Sequence, residues 1–311
     1  MDRLVNRVGP GWAALCPWQR IAGKDSGMAL IRVDRDKCDK DGACVEVCPL
    51  GILALDEEKG PVTRPGSAML CIGCGHCVAV CPHGALDNVK NPLQSQVPYE
   101  RAELPDARAA FTFLRARRSV RRYLDRPVPR ETTRQLLEIA RFAPSGHNSQ
   151  GLSYLAVEGR EAIGEMTVLV TEWMRRLIRE KHPIARSFHM EAIVKFCESG
   201  DDRILRNAPL VIVAMAPKTV EQIAQISTCL ALEYVELYAP ALGLGTCWAG
   251  YAQACAREYA PLLKYLKLPA DRAVTGMLMA GFPKYHYHRL PERNPLDLVW
   301  FDEMGSAPSG P

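Results

Sequence analysis

The sequence predicts an α+β protein made of two units, a small cysteine-rich unit followed by a larger domain in which helices alternate with strands. Seven of the twelve cysteines lie between residues 38 and 81, which sets that stretch apart from the rest of the chain. From about residue 107 onward, amphipathic helical periods alternate with short apolar runs that are typical of buried strands. The chain has 311 residues, which is enough for about two domains of ordinary size.

The composition excludes several classes of protein. Hydrophobic residues make up 48% of the chain and charged residues 24%, as in ordinary globular proteins, so wholesale disorder and fibrous structure are excluded. No apolar run approaches the roughly 18–20 residues that cross a bilayer. The net charge of +4 is too small and too scattered to indicate a nucleic-acid partner. We therefore expect a cytoplasmic protein whose clustered cysteines bind metal rather than form disulfides.

The chain divides into four segments. Residues 1–27 show no helical or strand period, and we interpret them as a disordered or mis-started extension, with translation beginning at Met1 or Met28; a docking tail is the alternative. Residues 28–90 form the cysteine-rich unit, in which an internal duplication with a period of about 33 residues places a similar apolar run after each Cys-Pro pair. Residues 91–106 contain three prolines and are interpreted as a linker, and residues 107–311 form the second domain.

Hydrophobic spacing predicts the elements in order. A first strand is expected over 29–34. In the second domain, helical spacing predicts helices over 107–114, 131–142, 161–181 and 220–242. The last of these helices must end or bend at Pro240. Apolar runs rich in β-formers predict strands over 152–158, 209–216 and 273–281, and the run at 209–216 is typical of a strand buried on both faces.

The strongest motif is the run Cys71-Ile-Gly-Cys74-Gly-His-Cys77-Val-Ala-Val-Cys81-Pro82, which has the C-x2-C-x2-C-x3-C-P spacing that holds a [4Fe–4S] cluster. Three thiolates on a tight turn reach three corners of one cluster, and the cysteine before proline serves a second cluster. A zinc site would normally pair one C-x2-C with a distant second pair, so zinc is the less favoured alternative. We interpret His76 as a loop residue rather than a ligand.

The first copy of this motif departs from the pattern. It keeps Cys38, Cys44 and Cys48 but has Asp41 where the second cysteine should be. Asp41 could supply a carboxylate oxygen to the fourth iron, or the site could hold a [3Fe–4S] cluster. Because a hard oxygen ligand binds that iron less firmly than thiolate does, this corner should be labile.

The two motifs together resemble those of bacterial two-cluster ferredoxins, over residues 32–90. The resemblance implies that cluster one takes Cys38, Cys44 and Cys81, with Asp41 as the open position. It implies that cluster two takes Cys71, Cys74, Cys77 and Cys48.

Three separated segments of the second domain suit a ligand that carries a phosphate and a planar heterocycle. The first is Arg117-Arg118-Ser119-Val120-Arg121, in which guanidinium groups offer fixed donor forks to oxyanions. The second is Ala143–Gln150, which collects small polar side chains where a helix ends. The third is Gly243–Tyr251, whose glycines allow close approach of a ligand to the backbone. The third segment is not a G-x-G-x-x-G run after a strand, so a dinucleotide-binding fingerprint is rejected.

In this order, the three segments resemble the nitroreductase family of FMN-dependent flavoproteins, over about residues 108–302. The resemblance implies a central, mostly antiparallel sheet flanked by helices, and a homodimer with FMN at the subunit interface. Arg117, Arg118, Ser119 and Arg121 would hold the phosphate, ribityl and pyrimidine side. The partner subunit would supply Pro144, Ser145, Gly146 and Asn148. Backbone amides of Ala249 and Gly250 would face the flavin, and Arg293 or Arg289 would complete the phosphate site.

Joining these units suggests an iron–sulfur flavoprotein oxidoreductase that passes electrons from its clusters to FMN and on to a small acceptor, such as a nitroaromatic or quinone-like compound. The alternatives are an electron-transfer module that serves a partner protein, or a different flavin chemistry such as reductive dehalogenation or flavin fragmentation. The low-potential electron donor is not identified, and NAD(P)H use stays open. The substrate pocket is expected within 165–200, with candidates Trp173, Arg175, Arg176, Phe188 and His189. The isolated thiols Cys197, Cys229, Cys247 and Cys255 are interpreted as small core residues.

Overall fold

The structure is a computed structural model that describes residues 29–301, and the predicted extension and both candidate start positions lie outside the described residues. Within the described range, helices and antiparallel sheets occur together, so the α+β prediction is confirmed. The cysteine-rich part is residues 29–90, and the large part is residues 107–301.

The cysteine-rich part contains two one-turn helices between two pairs of antiparallel strands. The helices are α1 (Ala43–Glu46) and α2 (His76–Ala79). The strands are β1 (Ile31–Val33), β2 (Leu53–Asp56), β3 (Gly60–Thr63) and β4 (Leu86–Asn88). β1 pairs with β4 and β2 pairs with β3, so the first strand closes the unit against the last one.

The large part surrounds one four-stranded sheet with helices. The strands are β5 (Ser153–Glu158), β6 (Leu210–Pro217), β7 (Gly245–Trp248) and β8 (Arg272–Gly281). They lie in the order β5-β6-β8-β7, and every pair is antiparallel, which agrees with the sheet that the resemblance implied. The helices are α3 (Ala107–Ala116), α4 (Arg130–Glu138), α5 (Arg160–Arg179), α6 (Pro183–Ser187), α7 (Met190–Glu198), α8 (Glu221–Tyr238), α9 (Gly250–Glu258) and α10 (Ala260–Tyr265).

The sheet separates two hydrophobic cores, and β6 contributes to both of them. Val211, Val213 and Met215 face a core shared with α5, α7 and α9. Leu210, Ile212 and Ala214 face a second core shared with α4 and α8. Because side chains alternate along a strand, a strand covered on both faces must be apolar at every position. The prediction of a doubly buried strand is therefore confirmed.

The differences from the predicted elements have local causes. The helix expected over 131–142 ends at Glu138 and continues as a 3-10 turn over Ile139–Phe142. The long helix ends at Tyr238, and Pro240 lies in the 3-10 turn that follows. Strand β7 was not predicted, because its four residues lie between two glycine-rich loops and give no period long enough to recognise.

Helix α8 packs one face on the sheet and leaves an apolar stripe exposed on the other. Ala231, Leu232 and Val235 are buried in the core, whereas Ile223 is 60% and Ile226 69% exposed. Leu230 and Tyr234 extend the exposed stripe at spacings of three and four residues. Within residues 29–301, no helix combines the length and apolar character needed to cross a bilayer.

Candidate functional site

Four thiols of the cysteine-rich part surround one small cavity. Cys71, Cys74 and Cys77 of the second motif line it together with Cys48 from the first motif. Ile72, His76 and Asn88 are among the other residues that line it. No group of three or more His, Cys, Asp or Glu side chains in the described part of the chain is arranged around a single metal ion. Cysteines around one cavity, one of them followed by proline, form the donor set that iron–sulfur clusters take.

The loop that carries Cys71 and Cys74 is held by several hydrogen bonds. Gly73 N donates to Cys71 Sγ over 3.4 Å, and Asn88 Nδ2 lies 3.8 Å from both Cys71 Sγ and Cys77 Sγ. Lys90 Nζ donates to the carbonyl of Cys71 over 2.6 Å. Donors aimed at the sulfur atoms favour the thiolate form, which is the form that binds iron.

The thiols of the first motif lie near its aspartate. Burial raises the pKa of Cys44 to about 11, and Asp41, Cys38 and Cys77 add to this shift. Asp41 Oδ1 accepts a hydrogen bond from Ala43 N over 3.0 Å, at the start of α1. Cys81 Sγ accepts one from Ala85 N over 3.3 Å. All cysteines of residues 29–301 are free thiols.

In the large part, the first and third segments are brought together. Ser119 forms an isolated bridge with Thr246 of β7, and Val120 N donates to the Thr246 carbonyl over 2.8 Å. Gly245 permits this approach, because a Cβ built there would lie 2.5 Å from Val120 Cγ2. The arginine-rich segment therefore runs beside the end of the sheet at β7.

Arg117 and Arg118 of this segment are half-buried, and they are fixed in different ways. Arg117 Nη1 lies 3.4 Å from Glu236 Oε1, and its Nε lies 3.6 Å from Glu233 Oε1. The Arg118 guanidinium stands over the ring of Tyr287 at 5.6 Å. Arg118 Nε is buried without a hydrogen-bond partner among the described residues. A buried guanidinium nitrogen without an acceptor fits an anionic ligand such as a phosphate.

Glu236 is a buried carboxylate that connects the first segment to the third, and it was not predicted from the sequence. It is 2% exposed, and it accepts hydrogen bonds from Thr246 Oγ1 at 3.1 Å and from Trp248 Nε1 at 2.9 Å. Burial raises the pKa of Glu236, and the neighbouring Arg117 partly offsets that shift. The only sequence signal was an acidic residue on the otherwise apolar face of a long helix.

Arg206 is a second residue that sequence reasoning missed. Its pKa is lowered by burial and then by the positive charges of Arg203, Arg121 and Arg122. No carboxylate within residues 29–301 forms an ion pair with it. The thiol of Cys247 is near Arg206 and Arg121. Burial raises the pKa of this thiol, whereas Arg121 and the hydroxyl of Ser119 lower it. Arg206, which is near the charge of Arg121 and has no ion-pair partner among the described residues, offers a site for an anionic or electron-rich group.

The second segment, Ala143–Gln150, lies at the other end of α8. A Cβ built on Gly146 would contact Ile223 Cγ2 at 3.4 Å, near the start of the helix. Glu236, which holds Arg117, is near its end. The thirteen residues from Ile223 to Glu236 span about 20 Å at 1.5 Å per residue. Within one chain, the second segment is therefore not brought together with the arginine-rich first segment.

The second segment instead contacts the cysteine-rich part. Asn148 Nδ2 donates to the carbonyls of Ile72 and Gly73, each over 3.1 Å. Asn148 Oδ1 accepts from Gln150 Nε2 over 3.2 Å, so the amide is anchored on both sides, and its oxygen can accept one further hydrogen bond. His147, Asn148 and Gln150 all have positive φ, near 50°. Such backbone is costly for these residues and concentrates at functional sites.

The remaining predicted residues occupy different positions. The Ala249 amide donates to the carbonyl of Met277 over 2.9 Å, so it is not free for a ligand, whereas Gly250 begins α9 with open space around it. The segment that carries Arg289 and Arg293 is exposed and passes α3, where Arg115 Nη2 donates to the Pro291 carbonyl over 3.4 Å.

Three of the expected pocket residues are committed elsewhere. Trp173 is 2% exposed and donates to Glu258 over 2.5 Å, Arg176 pairs with the same carboxylate, and Arg175 pairs with Glu198. Phe188 and His189 remain exposed, and the Phe188 carbonyl accepts from Tyr251 Oη over 3.0 Å, next to the third segment. Cys247 and Cys255 are buried and Cys197 is half-buried, but Cys229 is exposed on α8, so the core interpretation was wrong for Cys229.

Comparison with known families and proteins gives two family matches. Residues 37–85 match the 4Fe-4S dicluster domain, and residues 114–282, more than half of the chain, match the nitroreductase family. The chain is 25% identical over 235 residues to the 4-nitrobenzoate reductase of Nocardioides sp. (strain LMS-CY), covering 64% of this chain and 94% of that protein.

Two further matches cover the two parts separately. The electron transport protein HydN of Escherichia coli (strain K12) is 41% identical over 54 residues, which are 17% of this chain and 29% of HydN. A solved nitroreductase with bound FMN from Bacteroides fragilis is 19% identical with a TM-score of 0.48, covering 61% of this chain and 98% of that one. The chain belongs to the nitroreductase family, as an electron-transfer oxidoreductase in which a 4Fe-4S dicluster domain precedes the nitroreductase domain.

Proposed function

We propose that this protein is an iron–sulfur flavoprotein reductase that collects single electrons on two clusters, transfers them to FMN and delivers them in pairs to a small acceptor. Nitroaromatic and quinone-like compounds are the acceptor classes that we favour. The observation that carries the proposal is the pair of hydrogen bonds from Asn148 to Ile72 and Gly73. They join the cluster-binding loop directly to a segment that we assign to the flavin site.

For the clusters, we propose the ligand sets that the ferredoxin resemblance implied. Cluster two would take Cys48, Cys71, Cys74 and Cys77, in line with the cavity that these four residues line. Cluster one would take Cys38, Cys44 and Cys81, with Asp41 as the fourth ligand of a [4Fe–4S] cluster or as a bystander to a [3Fe–4S] cluster. We place the domain boundaries at 28–90 and 107–311, with 91–106 as linker, and the protein in the cytoplasm, where free thiols persist.

For FMN, we propose a site shared by two copies of the chain. Arg117, Arg118, Ser119 and Arg121 would hold the phosphate, ribityl and pyrimidine side, with Arg289 or Arg293 completing the phosphate site. Pro144, Ser145, Gly146 and Asn148 would come from the partner subunit, and Ala249 and Gly250 would border the flavin. The exposed apolar stripe of α8 supports a homodimer, in which we place the two-fold axis perpendicular to α8 so that the two α8 helices pack antiparallel. That packing brings the Ile223 end of one helix to the Glu236 end of the other.

FMN, when bound, supplies the redox chemistry, because it exchanges electrons both singly and in pairs. The residues of this chain bind and orient it. Glu236 fixes the direction of Arg117, and Arg121 and Arg206 together offset negative charge on the ligand. The reaction needs no protein nucleophile, so the buried thiol of Cys247 has no assigned chemical role.

Anaerobic reconstitution with iron, sulfide and FMN tests the proposal. We expect optical and paramagnetic signals from both carrier types in one dimer, and oxidation of the reduced protein by nitroaromatics, including 4-nitrobenzoate, or by quinones. Protein that binds no FMN, or that shows only one carrier type, would refute the proposal. Reoxidation by protein acceptors alone would replace it with an electron-transfer module.

A further inference from the structure

The contact between the two parts involves one cluster and not the other. The carbonyls that accept from Asn148 belong to Ile72 and Gly73, which lie between Cys71 and Cys74. Ile72 also lines the cavity that the four thiols surround. The backbone that forms one wall of the cluster-two cavity is therefore the same backbone that binds the flavin-site segment.

The linker holds the other side of the same loop. Asn91 Nδ2 donates to the Gly73 carbonyl over 3.2 Å, and Asn91 Oδ1 accepts from Gln96 Nε2 over 2.9 Å. A Cβ on Gly75 would lie 2.7 Å from Asn91 Nδ2, so the linker is packed tightly against this turn. The Gly73 carbonyl thus accepts hydrogen bonds from both Asn91 and Asn148. These two hydrogen bonds fix the loop between the two parts.

The side-chain contacts of the first motif stay within the cysteine-rich part. Asp39 pairs with His83 over 3.1 Å, Lys40 donates to the Glu57 carbonyl, and Asp41 caps the start of α1. Cluster one would therefore lie farther from the flavin-site segment than cluster two does.

The length of α8 decides which flavin site the loop serves. Asn148 lies at the Ile223 end of α8, about 20 Å from the Glu236 end that holds Arg117. In the proposed homodimer, the segment 143–150 of one chain completes the site whose arginines belong to the other chain. The ferredoxin loop bound to that segment therefore lies at the partner subunit's arginine motif rather than at its own.

We propose that electrons reach each flavin from the opposite subunit: the loop Cys71–Cys77 of one chain delivers them, through its contact with Asn148, to the FMN held by the arginines of the partner. This inference rests on the proposed function and specifies its route. Two molecules of a reduced low-potential one-electron carrier protein each give one electron, which passes through cluster one and cluster two. With one proton from solvent, these two electrons reduce one FMN, and both carrier molecules leave oxidised.

The docking contact is tested by hydrogen–deuterium exchange on the reconstituted dimer. Asn148→Ala should make amide exchange in the loop 71–75 several-fold faster. The matched control is Ser145→Ala, because the Ser145 hydroxyl accepts only from Gln150 N in the same segment. The control should leave exchange in the loop unchanged, even where it weakens FMN binding. Unchanged exchange in Asn148→Ala would overturn the docking role, whatever happens to FMN affinity.

The crossed route is tested with mixed dimers purified through two different affinity tags. In the first dimer, one chain carries Arg117→Ala and Arg121→Ala and the other carries Cys74→Ser. Its one remaining flavin site uses the arginines of the Cys74→Ser chain and Asn148 of the chain that keeps cluster two. In the second dimer, a chain with all three substitutions is paired with an unchanged chain, so the remaining flavin site faces a chain without cluster two.

The electron donor in this experiment is a reduced bacterial ferredoxin. The measured quantity is the rate at which flavin absorbance is lost. The rate in the Cys74→Ser homodimer is subtracted as background. In the first dimer, the crossed route predicts a corrected rate per flavin close to that of the unchanged protein. In the second dimer, it predicts a rate no higher than that of the Cys74→Ser homodimer. The opposite pattern, or equal rates in both dimers, would overturn the crossed route. Neither result touches the proposed function, which fails if FMN or the clusters do not bind, or if protein acceptors alone oxidise the reduced protein.

Discussion

Trp248 Nε1 donates a hydrogen bond of 2.9 Å to the buried carboxylate of Glu236, and the same carboxylate lies 3.4 Å from Arg117 Nη1. One side chain of α8 therefore connects the arginine motif to the segment that follows β7. Removing one partner of a buried hydrogen-bonded charge pair leaves the others without acceptors.

Glu236→Ala should lower the free energy of unfolding by about 3 kcal/mol, because Arg117, Trp248 and Thr246 would all lose a buried acceptor. It should also weaken FMN binding through the released Arg117. Urea unfolding and fluorescence titration with FMN measure the two effects. Glu233→Ala is the matched control, because Glu233 contacts Arg117 from an exposed position and should cost less than about 1 kcal/mol.

The pH dependence of Glu236 has a definite sign. Burial raises the pKa of Glu236 above its ordinary value of 4.5, so the folded chain binds this proton more tightly than the unfolded chain does. The associated stability is fully present below 4.5 and is lost as pH rises through the folded pKa. Relative to Glu236→Gln, which does not titrate, the unchanged protein should lose stability over the pH range that begins near 4.5 and extends upward. Urea midpoints across that range measure the difference, and a constant difference would contradict the shift.

Arg206→Ala and Arg121→Ala should each weaken FMN binding by roughly 10- to 100-fold, because a hydrogen bond to a charged group contributes about 1.5–3 kcal/mol. Both variants should keep the cluster spectra. Arg122→Ala is the control, since Arg122 is exposed and pairs with Asp201. Equilibrium dialysis with FMN measures the affinities. An Arg206 variant that binds FMN normally would show that only the arginine-rich segment matters.

Cys74→Ser should damage the spectrum of cluster two alone, because Cys74 lines only that cavity. The corresponding change in the first motif is Cys38→Ser, which should damage only cluster one. Electron paramagnetic resonance of the reduced protein separates the two signals. Loss of both signals in either variant would mean that the clusters cannot form independently.

Asp41→Cys should convert the first site into a complete four-thiolate site. If Asp41 is a weak oxygen ligand or a bystander, the variant should resist loss of iron during brief exposure to oxygen better than the unchanged protein does. Iron analysis and the paramagnetic signal of an oxidised three-iron cluster, before and after exposure, measure the effect. Equal iron retention would show that Asp41 already holds its iron as firmly as a thiolate.

Ile226→Glu should break the proposed homodimer, because it places a charge at the centre of the exposed stripe of α8, where Ile226 is 69% exposed in one chain. The monomer should fold but lose FMN, since neither chain alone has both halves of the site. Val168→Glu is the control, because Val168 is an exposed apolar residue on α5, away from the stripe. Light scattering after gel filtration reports the mass, and a dimeric Ile226→Glu variant would place the interface elsewhere.

The sequence predicted much of this architecture because strong periodicities and cysteine spacings are local signals. The doubly buried strand at 209–216 and the long helix that ends near Pro240 are examples. Strand β7 and the carboxylate of Glu236 were missed for a shared reason. A strand of four residues between glycines is too short to show a recognisable alternation of polar and apolar residues. The role of one acidic residue on a helix is visible only once β7 packs beside that helix. The contact of Asn148 with Gly73 joins residues 75 positions apart, and no local pattern predicts it.

Cys48 belongs to the first copy of the duplicated motif, yet it lines the cavity of the second. In the ligand sets that we propose, the two copies exchange a ligand, and neither copy holds a complete set of its own. A break in the chain between them would leave each fragment with an open corner, and a unit of about 60 residues has little core to stabilise it without its metal. With these ligand sets the duplicated motifs form an inseparable pair, and moving this part of the protein onto another enzyme would require both copies.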